Sequence, residues 1–109
     1  VTRGDIVVVA TKGAYSGKPR PTLVVQADVF NDTHASVTVC PITSDCIDAP
    51  LFRVSLPPGS RTGLRAASQV MVDKIVSVPR SSIASRVGHC ASGELDLVDD
   101  ALRRWLSLA

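Results

Sequence analysis

The sequence predicts a small, mainly β (α+β) protein: five to seven short strands in a partly closed, twisted barrel, with one α-helix at the C-terminal end. Three observations carry this prediction. Short runs of Val, Ile and Leu are separated by clusters of Gly, Pro, Asn and Asp, the punctuation of strands and turns. Some runs alternate apolar and polar residues, most cleanly LFRVSL (51–56), where Phe52, Val54 and Leu56 face inward and Arg53 and Ser55 outward. Helical spacing is clearest at the end of the chain, where Leu95, Val98, Leu102 and Trp105 fall on one stripe with Ala101 and Leu106 beside it. That stripe is expected to pack on the sheet, Trp105 included.

In order, RGDIVVVA (3–10) reads as a first strand, buried on most sides. TKGAYSGKPRP (11–21) is a loop, and PTLVVQADVF (21–30) a second strand. NDTHA (31–35) is a turn, and SVTVCPIT (36–43) a third strand that should break or lie at an edge near Pro41, which has no N–H for a ladder. PPGSRTGLRAA (57–67) is a second long loop. SQVMVDKIVSV (68–78) holds two short strands or one bent near Asp73-Lys74; PRSSIASR (79–86) makes a helical turn, and RVGHCA (86–91) a last strand. Ser92 is the expected N-cap of the helix, with Glu94 and Asp96 in its first turn and Arg103 and Arg104 near its end, matching the helix dipole.

Composition narrows the function classes. A chain of 109 residues, 45% hydrophobic and 20% charged, is sized for one domain over 1–109 with one core. Its aromatics are Tyr15, Phe30, Phe52 and Trp105, too few for an extended base-stacking platform. Residues 1–93 carry ten Lys/Arg against six Asp, a net of +4, while 94–109 carry two Arg against four acids, a net of −2. A mildly basic body suits a polyanion partner. Cys40, Cys46 and Cys90 are odd in number and fit no zinc spacing, so each is expected to be a small buried side chain. With no signal peptide and no long apolar span, a reduced, cytoplasmic protein with no membrane segment is the expectation. No phosphate-binding loop, dinucleotide fingerprint or metal-binding histidine pair is present, so no cofactor and no metal are expected. His34 and His89 are both open to an acid–base role.

The stretch GKPRPTLVVQ (17–26) is the most pointed local feature. Arg20 stands between Pro19 and Pro21, and each proline biases the residue before it toward an extended backbone. Lys18 and Arg20 are thus held stiffly at the mouth of an apolar strand. Lys12, Lys18 and Arg20 on the first loop, Arg61 and Arg65 on the second and Lys74 in the later β segment would form a basic cleft if the loops rise on one side. Phosphate is the natural ligand, since guanidinium offers a planar fork of donors. Thr43, closing CPIT, can cap a turn or hold a ligand oxygen; Ser68 and Gln69 open a strand directly after the basic loop.

The ordered segments RGDIVVV, KPRPTLVVQ, VTVCPITS, PLFRVSL, GLRAASQVMVDKI and VGHCASGELDLVDDALRRWL resemble the MazF/PemK family of toxin–antitoxin endoribonucleases, over about residues 2–108. The resemblance implies an SH3-like barrel with a C-terminal helix, usually a symmetric homodimer. It implies metal-independent cleavage of single-stranded RNA at short preferred sequences, and a small antitoxin whose disordered tail covers the RNA groove. The family's catalytic arginine falls on Arg20 and its threonine on Thr43; its RNA-pocket serine falls on Ser68, and Asp73 lies where some relatives carry a functional aspartate. Such a reaction uses the RNA's own 2′-hydroxyl, and a fixed arginine stabilises the charge gathering on the phosphoryl oxygens. The general base is left open among Asp73, either histidine and water. Two other readings compete: a CcdB-like toxin that binds gyrase and cuts nothing, and an SH3-like module that binds RNA or protein without chemistry. The stripe position of Trp105 and the presence of both Arg20 and Thr43 favour the nuclease.

Overall fold

A computed structural model describes residues 1–10 and 18–109. It contains β1 (Asp5–Val9), β2 (Arg20–Val24), the short helix α1 (Asp28–Asn31), β3 (Ser36–Thr43), β4 (Arg53–Leu56), β5 (Ser68–Met71), β6 (Val76–Pro79), β7 (Ile83–His89) and the long helix α2 (Ser92–Leu106). Single 3-10 turns join β5 to β6 (Val72–Lys74) and β6 to β7 (Arg80–Ser82). The strands form one seven-stranded antiparallel sheet in the order β4-β5-β3-β2-β1-β7, with β6 paired to β3. Among the described residues no ladder joins β6 to β7, so the sheet is barrel-like without closing. The mainly β architecture with a C-terminal helix is the one the sequence predicts.

The central strands are buried on both faces, which is why DIVVV does not alternate. One face carries Ile6, Leu23, Cys40, Ile42, Val54, Leu56 and Val70, covered by Val98 and Ala101 of α2. The other carries Val7, Val9, Val24, Val37, Val39 and Val78. Each of the Val, Ile and Leu side chains among these stabilises the fold by about 1.5–3 kcal/mol on burial. β3 reaches both halves: residues 36–39 pair with β6, and Ile42 and Thr43 with β5. Contrary to the expectation from the sequence, the strand neither breaks nor lies at an edge near Pro41: it runs unbroken to Thr43, Pro41 pairs with Thr22, and on the other side Pro41 falls between the β6 and β5 ladders, where no N–H is needed.

Five other local expectations are corrected. The second strand ends at Val24 rather than reaching Phe30, because Asn31 folds the segment into α1. The Asn31 amide nitrogen donates to Gln26 O (3.1 Å) and Asp28 Oδ1 (2.9 Å), and its oxygen accepts from Gln26 Nε2 (3.0 Å). These side-chain bonds outcompete a ladder. The last strand begins at Ile83, three residues earlier than expected, where β1 supplies a partner. Ala91, not Ser92, stands at the N-cap of α2; its N–H donates to Glu94 Oε1 (2.8 Å), the reciprocal half of a capping box. Trp105 is 51% exposed and packs only its edge of the stripe, its ring centroid 5.9 Å from that of half-buried Phe52. Of the cysteines, Cys40 is buried and Cys90 half-buried, but Cys46 is exposed, in the segment between β3 and β4.

Candidate functional site

The site follows from strand register. Arg20 is the first residue of β2 and pairs with Val9. Thr22 pairs with Pro41 of β3, so the same register, continued two residues, sets Arg20 across from Thr43. Thr43 pairs with Gln69, and Gln69 with Ser55. Directly opposed residues share a face of the sheet. Arg20, Thr43, Gln69 and Ser55 therefore form one row, each about 4.8 Å from the next strand. Arg20 is exposed at the end of this row, and Thr43 is half-buried beside it.

Each side chain has a defined task. Thr43 Oγ1 accepts the Asp45 N–H (3.0 Å), which leaves its hydroxyl proton to donate elsewhere. Gln69 is 9% exposed and fully engaged: Nε2 donates to Ile47 O (2.9 Å), while Oε1 accepts from Ile47 N (3.1 Å) and Arg53 Nη1 (2.9 Å). Ser68, one residue back, falls on the opposite face and donates to Ala66 O (2.9 Å). Lys18, Arg65 and Lys74 are exposed, and Lys12 lies outside the described residues. Asp73 is half-buried, and its Oδ1 is buried with no hydrogen-bond partner among the described residues. Burial, and after it the charge of Asp73, pushes the Cys40 thiol up to about 12.

Arg61 is carried elsewhere. Both of its terminal nitrogens bond Glu94 (2.7 and 2.9 Å), and Nη1 also reaches His89 O (3.1 Å). His89 pairs with Asp5, at the end of β1 opposite Val9 and Arg20. Four residues of strand separate the two ends, about 13 Å. The hydrogen bonds from Arg61 hold the Glu94 carboxyl below the usual carboxylate range. The loop around Arg61 is seated by two glycines: a Cβ on Gly88 would lie 2.3 Å from Thr62 O, and one on Gly63, at φ +72°, would lie 2.3 Å from Val87 O. Arg61 thus lies at the opposite end of β1 from Arg20 and does not share one cleft with it. His89 lies at the far end too, its Nδ1 3.4 Å from Arg86 Nη2, and His34 precedes the first residue of β3 while Thr43 is its last. Among the described residues no three His, Cys, Asp or Glu side chains are grouped to hold a metal ion.

Sequence reasoning missed Arg53, which reads as a solvent-facing residue of an alternating strand. It is half-buried, and its Nη1 reaches both Gln69 Oε1 and Asp45 O (3.1 Å). Segment 47–50 folds back over it to line an open pocket of about 160 Å³ beside the row, with Ser55 and Gln69 on the other wall. The alternation of RVSL put Arg53 and Ser55 on one face; nothing in the sequence marks that 44–50 returns to that face.

The profile of the family described as PemK-like, MazF-like toxin of type II toxin–antitoxin systems matches residues 2–106. This chain belongs to that family. It is 49% identical over 107 residues to a protein named probable endoribonuclease MazF from Mycolicibacterium smegmatis, covering 98% of this chain and 97% of that one. Among solved structures, a MazE–MazF complex from Deinococcus radiodurans superposes with a TM-score of 0.80 at 26% identity, covering 98% of this chain and 96% of that one. An endoribonuclease in complex with its cognate antitoxin from a mycobacterial species shares the fold, with a TM-score of 0.84 at 20% identity over 100% of this chain and 97% of that one. With membership in this family established, the position of Trp105 is not needed to choose between toxin classes.

Proposed function

We propose that this member of the MazF-like toxins cleaves single-stranded RNA at short preferred sequences, without a metal, and is neutralised by a cognate antitoxin. The enzyme class is that of the relatives, which are named endoribonucleases. One observation carries the site assignment: the β2–β3 register sets Arg20 and Thr43 opposite each other on one face. In the reaction the 2′-oxygen attacks the adjacent phosphorus, its proton passes to a base, and the P–O5′ bond breaks as the leaving oxygen takes up a proton. Arg20 supplies donors to the phosphoryl oxygens, whose charge grows in the transition state. Thr43, with its lone pair taken by Asp45, donates its hydroxyl proton to a non-bridging oxygen. Exposed Lys18, Arg65 and Lys74 attract the RNA backbone, and Lys12, outside the described residues, would add to them.

The antitoxin assignment is supported by the solved relatives, two of which are complexes with their antitoxins. A homodimer is supported by apolar surface left uncovered on the single chain: Leu51, Trp105, Leu106 and Leu108 are all exposed. No described helix is long and apolar enough to cross a membrane.

The test is cleavage of a mixed-sequence single-stranded RNA in excess EDTA, with Arg20→Ala beside the wild type and the product ends mapped. Discrete cuts that the variant loses are expected. Equal cutting by both proteins would remove Arg20 from the site, and no cutting by either on several long RNAs would overturn the nuclease reading.

A further inference from the structure

We propose that Arg53 is a positioning residue of the RNA-cleaving site, acting on Thr43 through Asp45. The inference rests on the nuclease reading above and adds a residue that the reading does not contain. A continuous chain of hydrogen bonds runs from β4 to the Thr43 hydroxyl. Arg53 Nη1 donates to Asp45 O (3.1 Å), and the N–H of that same Asp45 donates to Thr43 Oγ1 (3.0 Å). Asp45 is therefore pinned at both ends, its carbonyl by Arg53 and its amide against the threonine. Gln69 supplies the anchor. Its Oε1 takes the other bond from Arg53 Nη1 (2.9 Å), and its amide clasps both backbone groups of Ile47. Segment 44–50 has no regular helix or strand of its own, so these side-chain bonds stand in for a ladder.

The consequence is directional. A threonine hydroxyl turns freely unless something fixes it. The Asp45 N–H occupies one lone pair and so aims the remaining proton away from the turn. Without Arg53, Asp45 loses its second fastening, and the aim of that proton is lost while the strand carrying Thr43 stays intact. Displacements of this size cost up to about a hundredfold in rate when the displaced group acts on the reacting atoms. Nη1 of Arg53 gives both of its bonds to protein acceptors and Nε is buried with no hydrogen-bond partner among the described residues, so these atoms are placed for support.

The test uses the full chain with Arg53→Met, which keeps the apolar stem, and Arg53→Lys. Both bonds leave from one nitrogen, so an ammonium can replace them. Arg53→Met is expected to lower kcat about tenfold or more with KM little changed, and Arg53→Lys to recover most of it. In a Thr43→Ala background, Arg53→Met should have almost no further effect, because the two act as a unit. Hydrogen exchange reads the same device without activity: the Asp45 amide should lose protection in Arg53→Met and regain it in Arg53→Lys. Binding is measured with an RNA carrying a 2′-deoxy nucleotide at the cut. Weaker binding with a shallower salt dependence would make Arg53 a phosphate ligand and overturn the proposal. Additive losses in the double variant would overturn it too, as would an Asp45 amide indifferent to Arg53. A wild type that cuts no RNA fails the nuclease reading instead, and the exchange measurement still decides whether Arg53 holds Asp45.

Discussion

Arg20 and Arg61 look alike in the sequence: each is a cation on a long, Gly- and Pro-rich loop. The fold places them at opposite ends of β1 and gives them different work. Arg20 opens a strand across from Thr43, exposed at the end of a polar row. Arg61 grips Glu94 with both terminal nitrogens and fastens its loop to α2. The difference teaches that a basic residue's role is set by where its strand register or the return of its loop puts it. Arg61 is brought to Glu94, 33 residues away in sequence. Arg20 is stiffened by its two prolines and set at the end of a strand, across from a hydroxyl.

The sharpest way to break this comparison is to exchange the two losses. Arg20→Ala is expected to lower kcat about a hundredfold or more. Arg61→Ala is expected to leave the kcat of folded protein in place and lower the melting temperature. A kinetic loss at Arg61 equal to that at Arg20 would return both loops to one site. The next effect is at Gly88, where a methyl group meets the backbone of Thr62 and Arg61. Gly88→Ala should cost about 1–3 kcal/mol of stability in denaturant unfolding, and the 57–67 loop should become the fastest to exchange its amides. Loss of stability without loosening of that loop would separate Gly88 from the fastening role. At the outer edge of α2, Trp105→Ala should cost about 1 kcal/mol through its contact with Phe52, with cleavage by the dissolved protein unchanged.

The smallest effect is in acid. Glu94 is held below its ordinary value by Arg61, so its contribution is full above the unfolded carboxylate range and is lost as the pH falls through the lower, folded value. Thermal melts from neutral to strongly acid pH should show a steeper decline for the wild type than for Glu94→Gln, modest because the pair lies near solvent. Parallel curves would say that Arg61 and Glu94 are neighbours without being coupled.

What the sequence disclosed and what it hid divide along the same line. Strand-forming runs and the amphipathic helix were readable because each rests on local spacing, whereas Pro41 suggested a break that the flanking ladders do not need. The stiff setting of Arg20 was readable because its two prolines adjoin it. The bonds that Arg53 and Gln69 make to each other and to segment 44–50 were not, since they depend on that segment returning to β4 and β5, a tertiary event with no local signature. Asn31 misled in the other direction: a run of strand formers reaches Phe30, but a buried amide two residues past Val29 folds the segment into a turn. Trp105 kept the spacing of a core residue, yet near the last turn of α2 its ring is only partly covered and meets half-buried Phe52.

The pairing of β1 with β7 has a consequence for how the protein is made. Val9 finds its partner in Ile83 and Asp5 in His89, nearly the whole chain apart. A nascent polypeptide that has not yet emerged past Ile83 presents β1 with one open, apolar edge, and contacts this distant form late. A chain that stops short of Ile83 therefore lacks the strand that covers this side of β1, and the sheet can be completed only after almost all of the other strands have been made.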